Sequence, residues 1–284
     1  MEQLNYSWET QKTDEHIVNL LKSKLHISTA LARVLSIRGV KSFDSAQDFF
    51  RPKWKSFHDG FLMKGMNKSV ERIKVAINEQ QKILVYGDYD VDGTCSIAMI
   101  SFFLKKYSSN VYLYQPDREK EGYGISLKAV EKMIADKIDL VIALDCGIKD
   151  IKSANAIADA GIELIICDHH NPGNIIPNAY SILNPKQKEC KYPFKELCGC
   201  GVGFKLIQSY SKKYKTEIDY SYLIQLAAIA TTADVVPLVG ENRLITYFGL
   251  EQINQNPIPS LKKIFELFNI EKEISSSDLV FKVA

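Results

Sequence analysis

The feature that most constrains the fold is a regular alternation of short apolar runs and helical stretches between residues 83 and 168. The apolar runs are rich in β-branched residues, and helices are predicted between them over 94–107, 126–137 and 149–161. The runs themselves are ILVYGD (83–88), VYLYQP (111–116), DLVIALD (139–145) and ELIICD (163–168). Nearly continuous apolar strands separated by helices predict an α/β fold, in which helices cover both faces of a mostly parallel β-sheet.

The segments on either side of this alternation are predicted to be helical. After it, helices are predicted over 201–214 and 220–233. Before it, helical spacing of apolar residues predicts helices over 14–25, 28–39, 42–52 and 67–82. Ser28 is a suitable N-cap for the second of these four, and Gly39 is a suitable end.

The composition is that of a soluble globular protein, with 46% hydrophobic and 25% charged residues. The formal net charge of the 284 residues is only +2, so any contact with nucleic acid must come from a local basic patch. The polar N-terminus lacks the apolar core of a signal peptide, and no stretch approaches the ~20 apolar residues that span a bilayer. We therefore expect a cytoplasmic protein that does not associate with a membrane.

The six cysteines do not form a pattern typical of disulfides or zinc. Cys95, Cys146 and Cys167 lie in or beside apolar runs, and we interpret them as buried thiols. Cys198 and Cys200 form a close pair, but no second pair stands at the spacing of a zinc site. We do not expect a zinc ion.

Acidic residues stand where three of the predicted strands end. The side chains at these ends are Asp88, Asp90, Asp92, Asp145, Asp168, His169 and His170. Because the carboxyl ends of parallel strands meet at one edge, where open α/β sheets bind ligands, we expect these side chains to gather in one crevice. For each aspartate taken alone, a helix N-cap or a turn residue stays open as the alternative.

A cluster of unpaired carboxylates raises its own pKa values, and bound cations remove that repulsion. DYDVDG (88–93) resembles the start of an EF-hand loop, but the twelfth position is Met99 and not the glutamate that calcium requires. Carboxylates with imidazoles suit Mn2+ or Mg2+, and this number of ligands is typical of a two-metal centre that activates water for attack on phosphorus. Asp234 stands at a predicted helix end, where an acid is unfavourable, and is a further candidate ligand.

Three segments offer candidate contacts to phosphate or nucleic acid. Gly201 and Gly203 in LCGCGVGFKL (197–206) either allow close packing or contact a phosphate at a helix N-terminus. Arg118 and Tyr123 in REKEGYGIS (118–126), and Lys186 in KQKECKYPFK (186–195), combine basic with aromatic side chains, which can hold a single strand. For these loops, a solvated surface is the alternative interpretation.

The motifs GDYDVDG, LDCGI, CDHHNPG and ATTADVVPL occur in this order and resemble the four motifs of the DHH phosphoesterase superfamily. PDREKEGYGIS, NPK (184–186) and CGCGVGFKL are similar to its branch of RecJ-type single-strand-specific exonucleases. The resemblance covers roughly residues 67–240. It implies a DHH catalytic domain there, preceded by an N-terminal helical extension (1–66) and followed by a helical linker (241–284) towards a C-terminal domain that we expect to be missing.

The resemblance also implies roles for the strand-end residues. The implied metal ligands are Asp90, Asp92, Asp145, His169 and Asp234. Asp145 would bridge two metals, and His170 would contact the scissile phosphate and act as an acid. Asp88 would be a further ligand or, like Asp168, a neighbour that orients the catalytic groups.

The activity implied by the resemblance is Mn2+- or Mg2+-dependent hydrolysis of single-stranded DNA from the 5′ end, in recombination and repair. The implied partners are single-stranded DNA and a single-strand-binding protein or a helicase, and we expect a monomer. Two alternatives stay open. One is a DHH phosphodiesterase for short oligoribonucleotides, dinucleotides or pyrophosphate, and the other is a non-catalytic DHH scaffold that binds nucleic acid.

Overall fold

The computed structural model describes residue 7, residues 9–270 and residues 273–284. The predicted N-terminal extension and C-terminal linker therefore lie partly outside the described residues, at 1–6, 8 and 271–272. The chain divides into two compact units, the first ending at Ser56 and the second beginning at Phe57.

The first unit contains three helices within its described residues: α1 (Glu15–Leu25), α2 (Thr29–Ile37) and α3 (Phe43–Phe50). Each begins after a polar N-cap whose side chain accepts a backbone N–H, and these caps are Asp14, Ser28 and Ser42. The helices enclose a small core of Val18, Leu21, Ala32, Leu35, Val40 and Ala46. A 3₁₀ turn, Trp54–Ser56, ends the unit.

The second unit is built on a parallel sheet that has five strands within the described residues. They are β1 (Ile83–Gly87), β2 (Val111–Tyr114), β3 (Leu140–Leu144), β4 (Glu163–Cys167) and β5 (Ser181–Leu183), in the order β2-β1-β3-β4-β5. All neighbouring pairs are parallel, which confirms the predicted fold class. The sequence did not predict β5, because three residues are too few to show a periodic pattern.

The second unit also contains helices, several of which pack against this sheet. They are α4 (Met66–Asn78), α5 (Val91–Leu104), α6 (Leu127–Ala135), α7 (Ile151–Asp159), α8 (Gly199–Tyr214), α9 (Tyr220–Ala233), α10 (Gly240–Gln255) and α11 (Pro259–Leu267). A short turn, Ser276–Asp278, leads into a π-helical turn, Leu279–Val283. Within the described part of the chain, no helix combines the length and the apolarity that a membrane crossing requires.

Alternate residues of the central strands β1, β3 and β4 enter two different cores. Ile83 and Val85 of β1 join the core formed with α4, α5, α8 and α9, whereas Leu84 and Tyr86 join the core formed with α6 and α7. A strand buried on both faces must be apolar at every position, which explains the continuous apolar runs. Each fully buried large apolar side chain contributes about 1.5–3 kcal/mol to stability.

Two helices begin two or more residues earlier than the sequence pattern predicted, and both changes affect the crevice at the sheet edge. α5 begins at Val91, because Asp90 caps it by accepting the N–H of Gly93 at 2.9 Å. Asp92 therefore lies in the first turn of a helix. Gly93 packs so closely on the preceding turn that a Cβ there would lie 2.3 Å from the carbonyl oxygen of Asp88. α8 begins at Gly199, after the N-cap Cys198.

Candidate metal centre

The carboxyl edge of the sheet brings together acidic and histidine side chains from several loops and helix ends. Among the described residues, three sets of side chains have ligand atoms within 4.8 Å of one another. These sets are Asp145, His169 and His170; Asp92, His169 and Asp234; and Asp88, Asp90 and Asp145. Residues that are up to 146 positions apart in the chain thus form one cluster at the edge where the sequence placed it.

His169 lies at the centre of this cluster. Its Nε2 is 3.2 Å from Oδ1 of Asp145, 3.6 Å from Oδ2 of Asp234 and 4.0 Å from Oδ2 of Asp92. Burial, and then the charge of His170, lower the pKa of His169 to about 4. The imidazole is therefore neutral at neutral pH and has a lone pair to offer to a metal.

Several buried atoms of the cluster have no hydrogen-bond partner among the described residues. They are Oδ1 of Asp88, Oδ1 of Asp145, Oδ2 of Asp234 and both ring nitrogens of His169. A buried polar atom without a partner costs about 1–3 kcal/mol, so such atoms are rare in folded proteins. Divalent cations would satisfy these oxygens together with one ring nitrogen of His169, so this donor set fits a metal centre.

Four carboxylates of the cluster, those of Asp88, Asp92, Asp145 and Asp234, hold their protons more tightly than free carboxylates do. Burial is the main cause, and the negative charge of neighbouring aspartates adds to it. The pKa is raised to about 6 for Asp88, to about 7 for Asp92 and to about 6 for Asp234, and the pKa of Asp145 lies well above its usual range. Bound cations would relieve the repulsion between the negative charges of these aspartates.

The N-terminus of α8 holds the carboxylate of Asp92. The N–H of Gly199 donates to Oδ2 of Asp92 at 2.6 Å, and the N–H of Cys200 donates to Oδ1 at 2.7 Å. Only glycine fits at position 199, because a Cβ there would lie 2.6 Å from Cβ of Asp145. The sequence pattern missed these two donors because it placed the start of the helix at residue 201, although the glycines of CGCG were a signal for close approach.

Gly201 and Gly203 pack closely against their neighbours, which favours the packing alternative over the phosphate contact. The N–H of Gly201 donates to Sγ of its own N-cap, Cys198, at 3.3 Å. A Cβ on Gly201 would lie 3.2 Å from Cδ2 of Leu197, and one on Gly203 would lie 3.2 Å from Cε of Met99. Both glycines are buried against apolar side chains, and the carboxylate of Asp92 already accepts from the N–H groups of Gly199 and Cys200 at this helix N-terminus.

Asp168 orients His170. One carboxylate oxygen, Oδ1, accepts from Nδ1 of His170 at 2.8 Å and from the backbone N–H groups of His169 and His170, and Oδ2 accepts the N–H of Ile148 at 3.0 Å. Burial raises the pKa of Asp168, but the bonds from His170 and these N–H groups outweigh it and hold the pKa below its usual value. The hydrogen bond to Asp168 in turn raises the pKa of His170, against the effect of burial.

Asp88 and Asp90 differ in their surroundings. Asp88 is buried, with 2% of its surface exposed, so it is more than a surface turn residue. Asp90 is exposed and caps α5 through Oδ1, yet it still shares a set of close ligand atoms with Asp88 and Asp145. All six cysteines are free thiols, and the buried positions predicted for Cys95, Cys146 and Cys167 are confirmed.

The predicted basic residues lie on two sides of the cluster. Arg118 stacks on the ring of Tyr89, with Cζ 5.2 Å from the ring centroid, and its charge acts against the raised pKa of Asp88. Lys186 is close enough for its charge to help lower the pKa of His169. Tyr123 points its hydroxyl to Asp145 and His170, and its ring meets the ring of His170 edge to face.

The fold and the cluster define an α/β protein with a candidate metal centre at the carboxyl edge of a parallel sheet. The chain belongs to the DHH family: the description "DHH family, N-terminal domain" matches residues 82–231.

The chain is similar to single-stranded-DNA-specific exonucleases named RecJ. It is 42% identical to that of Bacillus subtilis (strain 168) over 260 residues, which cover 92% of this chain and 32% of the relative. It is 33% identical to that of Escherichia coli (strain K12) over 264 residues, which cover 88% of this chain and 45% of the relative. The chain therefore spans less than half the length of these two relatives.

A crystal structure of exonuclease RecJ bound to manganese has the same fold. It matches with a TM-score of 0.71 and 28% sequence identity, over 78% of this chain and 56% of that chain.

Proposed function

We propose that this chain carries the catalytic site of a metal-dependent exonuclease that hydrolyses the phosphodiester bonds of single-stranded DNA from the 5′ end. The observation that carries the proposal is the set of buried ligand atoms without hydrogen-bond partners at the sheet edge. The similarity to the RecJ exonucleases supports the choice of substrate. The catalytic domain would comprise residues 67–240, between a helical extension (1–66) and a helical linker (241–284).

Two Mn2+ ions, or Mg2+ ions, would be held by the cluster. The proposed ligands are Asp88, Asp90, Asp92, Asp145, His169 and Asp234. Asp145 belongs to two of the sets of close ligand atoms, which supports a bridging position. Oxygen ligands with a neutral imidazole suit Mn2+, and the solved exonuclease RecJ is bound to manganese. When bound, such a metal pair supplies Lewis-acid stabilisation of the phosphodiester and activation of water.

His170 is proposed as the group that meets the scissile phosphate. Its bond to Asp168 fixes the ring and raises its pKa, so the imidazole keeps its proton to a higher pH than a free histidine does. A protonated imidazole can donate a hydrogen bond to a phosphate oxygen and then a proton to the leaving oxygen. In this step Asp168 fixes the ring of His170 through a hydrogen bond and favours its protonated form. Asp145 contributes as a proposed ligand of the metals.

Arg118 and Lys186 are proposed to hold the phosphates of the substrate on either side of the cluster. Arg118 follows β2 and Lys186 follows β5, which are the two outer strands of the described sheet, whereas Asp88, Asp145 and His169 follow strands between them. A single strand that crosses the carboxyl edge would meet a basic side chain at each end. Arg118 stacked on Tyr89 also resembles the stacking platforms of single-strand binders.

The partners of the chain are proposals as well. We propose single-stranded DNA as the substrate, a single-strand-binding protein or a helicase as a protein partner, a cytoplasmic location, and a monomeric state. Sedimentation of the purified chain would test the last of these, and a sedimentation coefficient of a dimer would contradict it.

The experiment is Mn2+-dependent degradation of single strands labelled at the 5′ or the 3′ end. We expect the 5′ label to be released first, and Asp145→Asn to lower the rate at least about 100-fold, since even partners of metal ligands have effects of up to about 100-fold and a ligand itself should have a larger one. Asp159→Asn, at the exposed end of α7, is the matched control and should keep the rate.

Three results would contradict the proposal. Full activity of Asp145→Asn would exclude the metal mechanism. Release of the 3′ label first would exclude the polarity. Faster turnover of dinucleotides or pyrophosphate than of a long strand would assign the chain to another DHH substrate class.

A further inference from the structure

Tyr123 connects two parts of the candidate site through its hydroxyl. The hydroxyl lies 3.1 Å from the backbone carbonyl oxygen of Asp145, 3.1 Å from Nδ1 of His170 and 3.3 Å from Nε2 of the same ring. A carbonyl oxygen can only accept, so the hydroxyl donates to Asp145 and is left to accept from the imidazole, where it shares the N–H at Nδ1 with Asp168. Because Nδ1 of His170 also bonds to Asp168, the ring is held from two sides.

The backbone of Asp145 needs such support. Asp145 has a φ of +59°, in the left-handed region that is unfavourable for residues with a side chain. Residues held in this region at functional sites persist because their surroundings fix them. The bond from Tyr123 to the carbonyl oxygen of Asp145 is one such fixing contact, and it acts on the turn that carries the proposed bridging ligand.

Two hydrogen bonds hold the loop that carries Tyr123 in place. The buried hydroxyl of Tyr86 donates to the carbonyl oxygen of Gly124 at 2.7 Å, and the N–H of Ile125 donates to Oδ2 of Asp150 at 2.8 Å. Gly124 has a φ of +89°, and a Cβ there would lie 2.6 Å from Oδ1 of Asp150. These contacts place Tyr123 on a rigid support, as a positioning role requires.

These contacts distinguish two roles for Tyr123. A residue that only stacks on DNA would leave its hydroxyl to solvent and would not need a fixed ring. Here 52% of the residue is exposed, but the hydroxyl is bound to the protein on both sides. A contact to His170 therefore explains why the hydroxyl of Tyr123 is bound to the protein. The nucleic-acid contact that the sequence predicted does not explain it.

We propose that Tyr123 is a positioning residue that ties the imidazole of His170 to the backbone of Asp145. It keeps the group that meets the phosphate at a fixed place relative to the metal-holding turn. This inference rests on the proposed exonuclease function for its kinetic consequence, but its geometric content can be measured without activity.

The kinetic test compares Tyr123→Phe with Tyr112→Phe in the full chain. Tyr112 has an exposed side chain on β2, and its replacement should change nothing. Loss of one positioning hydrogen bond should lower kcat on single-stranded DNA about threefold to tenfold, with KM unchanged within about twofold. A raised KM with an unchanged kcat would overturn the proposal in favour of a DNA contact.

The second measurement is the ring resonances of His170 in the metal-free protein by NMR, assigned with His170→Gln. Tyr123→Phe should shift them, whereas those of His26 in the first unit and all resonances in Tyr112→Phe should stay in place. Unchanged His170 resonances would overturn the positioning role. A shift in a protein that shows no nuclease activity would instead support the positioning role and reject the exonuclease function, so the two failures are distinguishable.

Discussion

Lys205 and Glu241 form an ion pair inside the protein, with Nζ 3.2 Å from Oε1 and each side chain only 1% exposed. The carbonyl oxygen of His58 also accepts from Nζ at 2.7 Å, and Glu241 accepts from the N–H of His58 and the hydroxyl of Tyr192. The pair thus joins α8 and α10 to the start of the second unit. Burial lowers the pKa of Lys205 even though Glu241 acts against this shift, so the ammonium depends on its partners.

We expect Glu241→Gln to lower the free energy of unfolding by about 3–5 kcal/mol, because it leaves the charge of Lys205 buried without its partner. Urea unfolding would measure the loss. Glu266→Gln, which breaks the exposed pair with Lys263, is the matched control and should cost less than about 1 kcal/mol. If Glu241→Gln lowered the free energy of unfolding as little as the control does, the ammonium of Lys205 would have to be exposed to solvent in solution.

Asp168→Asn should lower the proposed nuclease rate about 10- to 100-fold, the range found when partners that orient catalytic or metal-binding groups are removed. The carboxylate accepts hydrogen bonds at both oxygens, from His170, its own loop and Ile148. An amide can accept at one position only and presents N–H groups at the other. Rates of nucleotide release would measure the effect, with Asp159→Asn as the control. A rate equal to that of the control would mean that His170 does not depend on Asp168.

The metal-free protein should lose stability as the pH rises from about 5 to about 8. Burial and mutual repulsion raise the pKa of Asp92 to about 7, above its ordinary 3.8, so the folded state binds its proton more tightly than the unfolded state does. The stability from this proton is present below the unfolded pKa and is lost as the pH rises through the folded one. Asp88 and Asp234, with pKa values of about 6, act in the same direction.

Thermal unfolding with a chelator would measure this slope, which Asp92→Asn should reduce. Added Mn2+ should have the opposite effect at pH values near 7. At a free concentration of about 100 times the dissociation constant, it should add about 2.7 kcal/mol and raise Tm by about 5 °C. A wild-type Tm that rises across this pH range without metal, or that does not respond to Mn2+, would contradict the proposed metal centre.

Arg118→Gln and Lys186→Gln should each raise KM for single-stranded DNA. If each side chain binds one phosphate, each replacement should also reduce the salt dependence of binding by about one unit of slope. Fluorescence anisotropy with a labelled single strand, at about 50 to 200 mM salt, would measure both effects. Lys152→Gln on the exposed side of α7 is the matched control. If Arg118→Gln and Lys186→Gln showed the same salt dependence of binding as Lys152→Gln, neither residue would contact the DNA as proposed.

The sequence by itself determined the sheet and the chemical character of its edge. Each central strand contributes side chains to two cores, so every position must be apolar, and that requirement is visible as an uninterrupted run. The parallel arrangement then places all carboxyl ends on one side. Asp88, Asp145 and His169 could therefore be assigned to one crevice before any contact was known, because a local pattern and a general rule of sheet geometry were sufficient.

Only the tertiary structure decided which atoms meet. The carboxylate of Asp92 accepts from the N–H of Gly199, which is 107 residues away. The hydroxyl of Tyr123 contacts Asp145 and His170 from a loop whose sequence is also typical of a solvated surface. Lys205 and Glu241 are charged residues that no pattern would place in the interior. These contacts depend on how helices pack on the sheet, and periodicity along the chain carries no information about partners far apart in sequence.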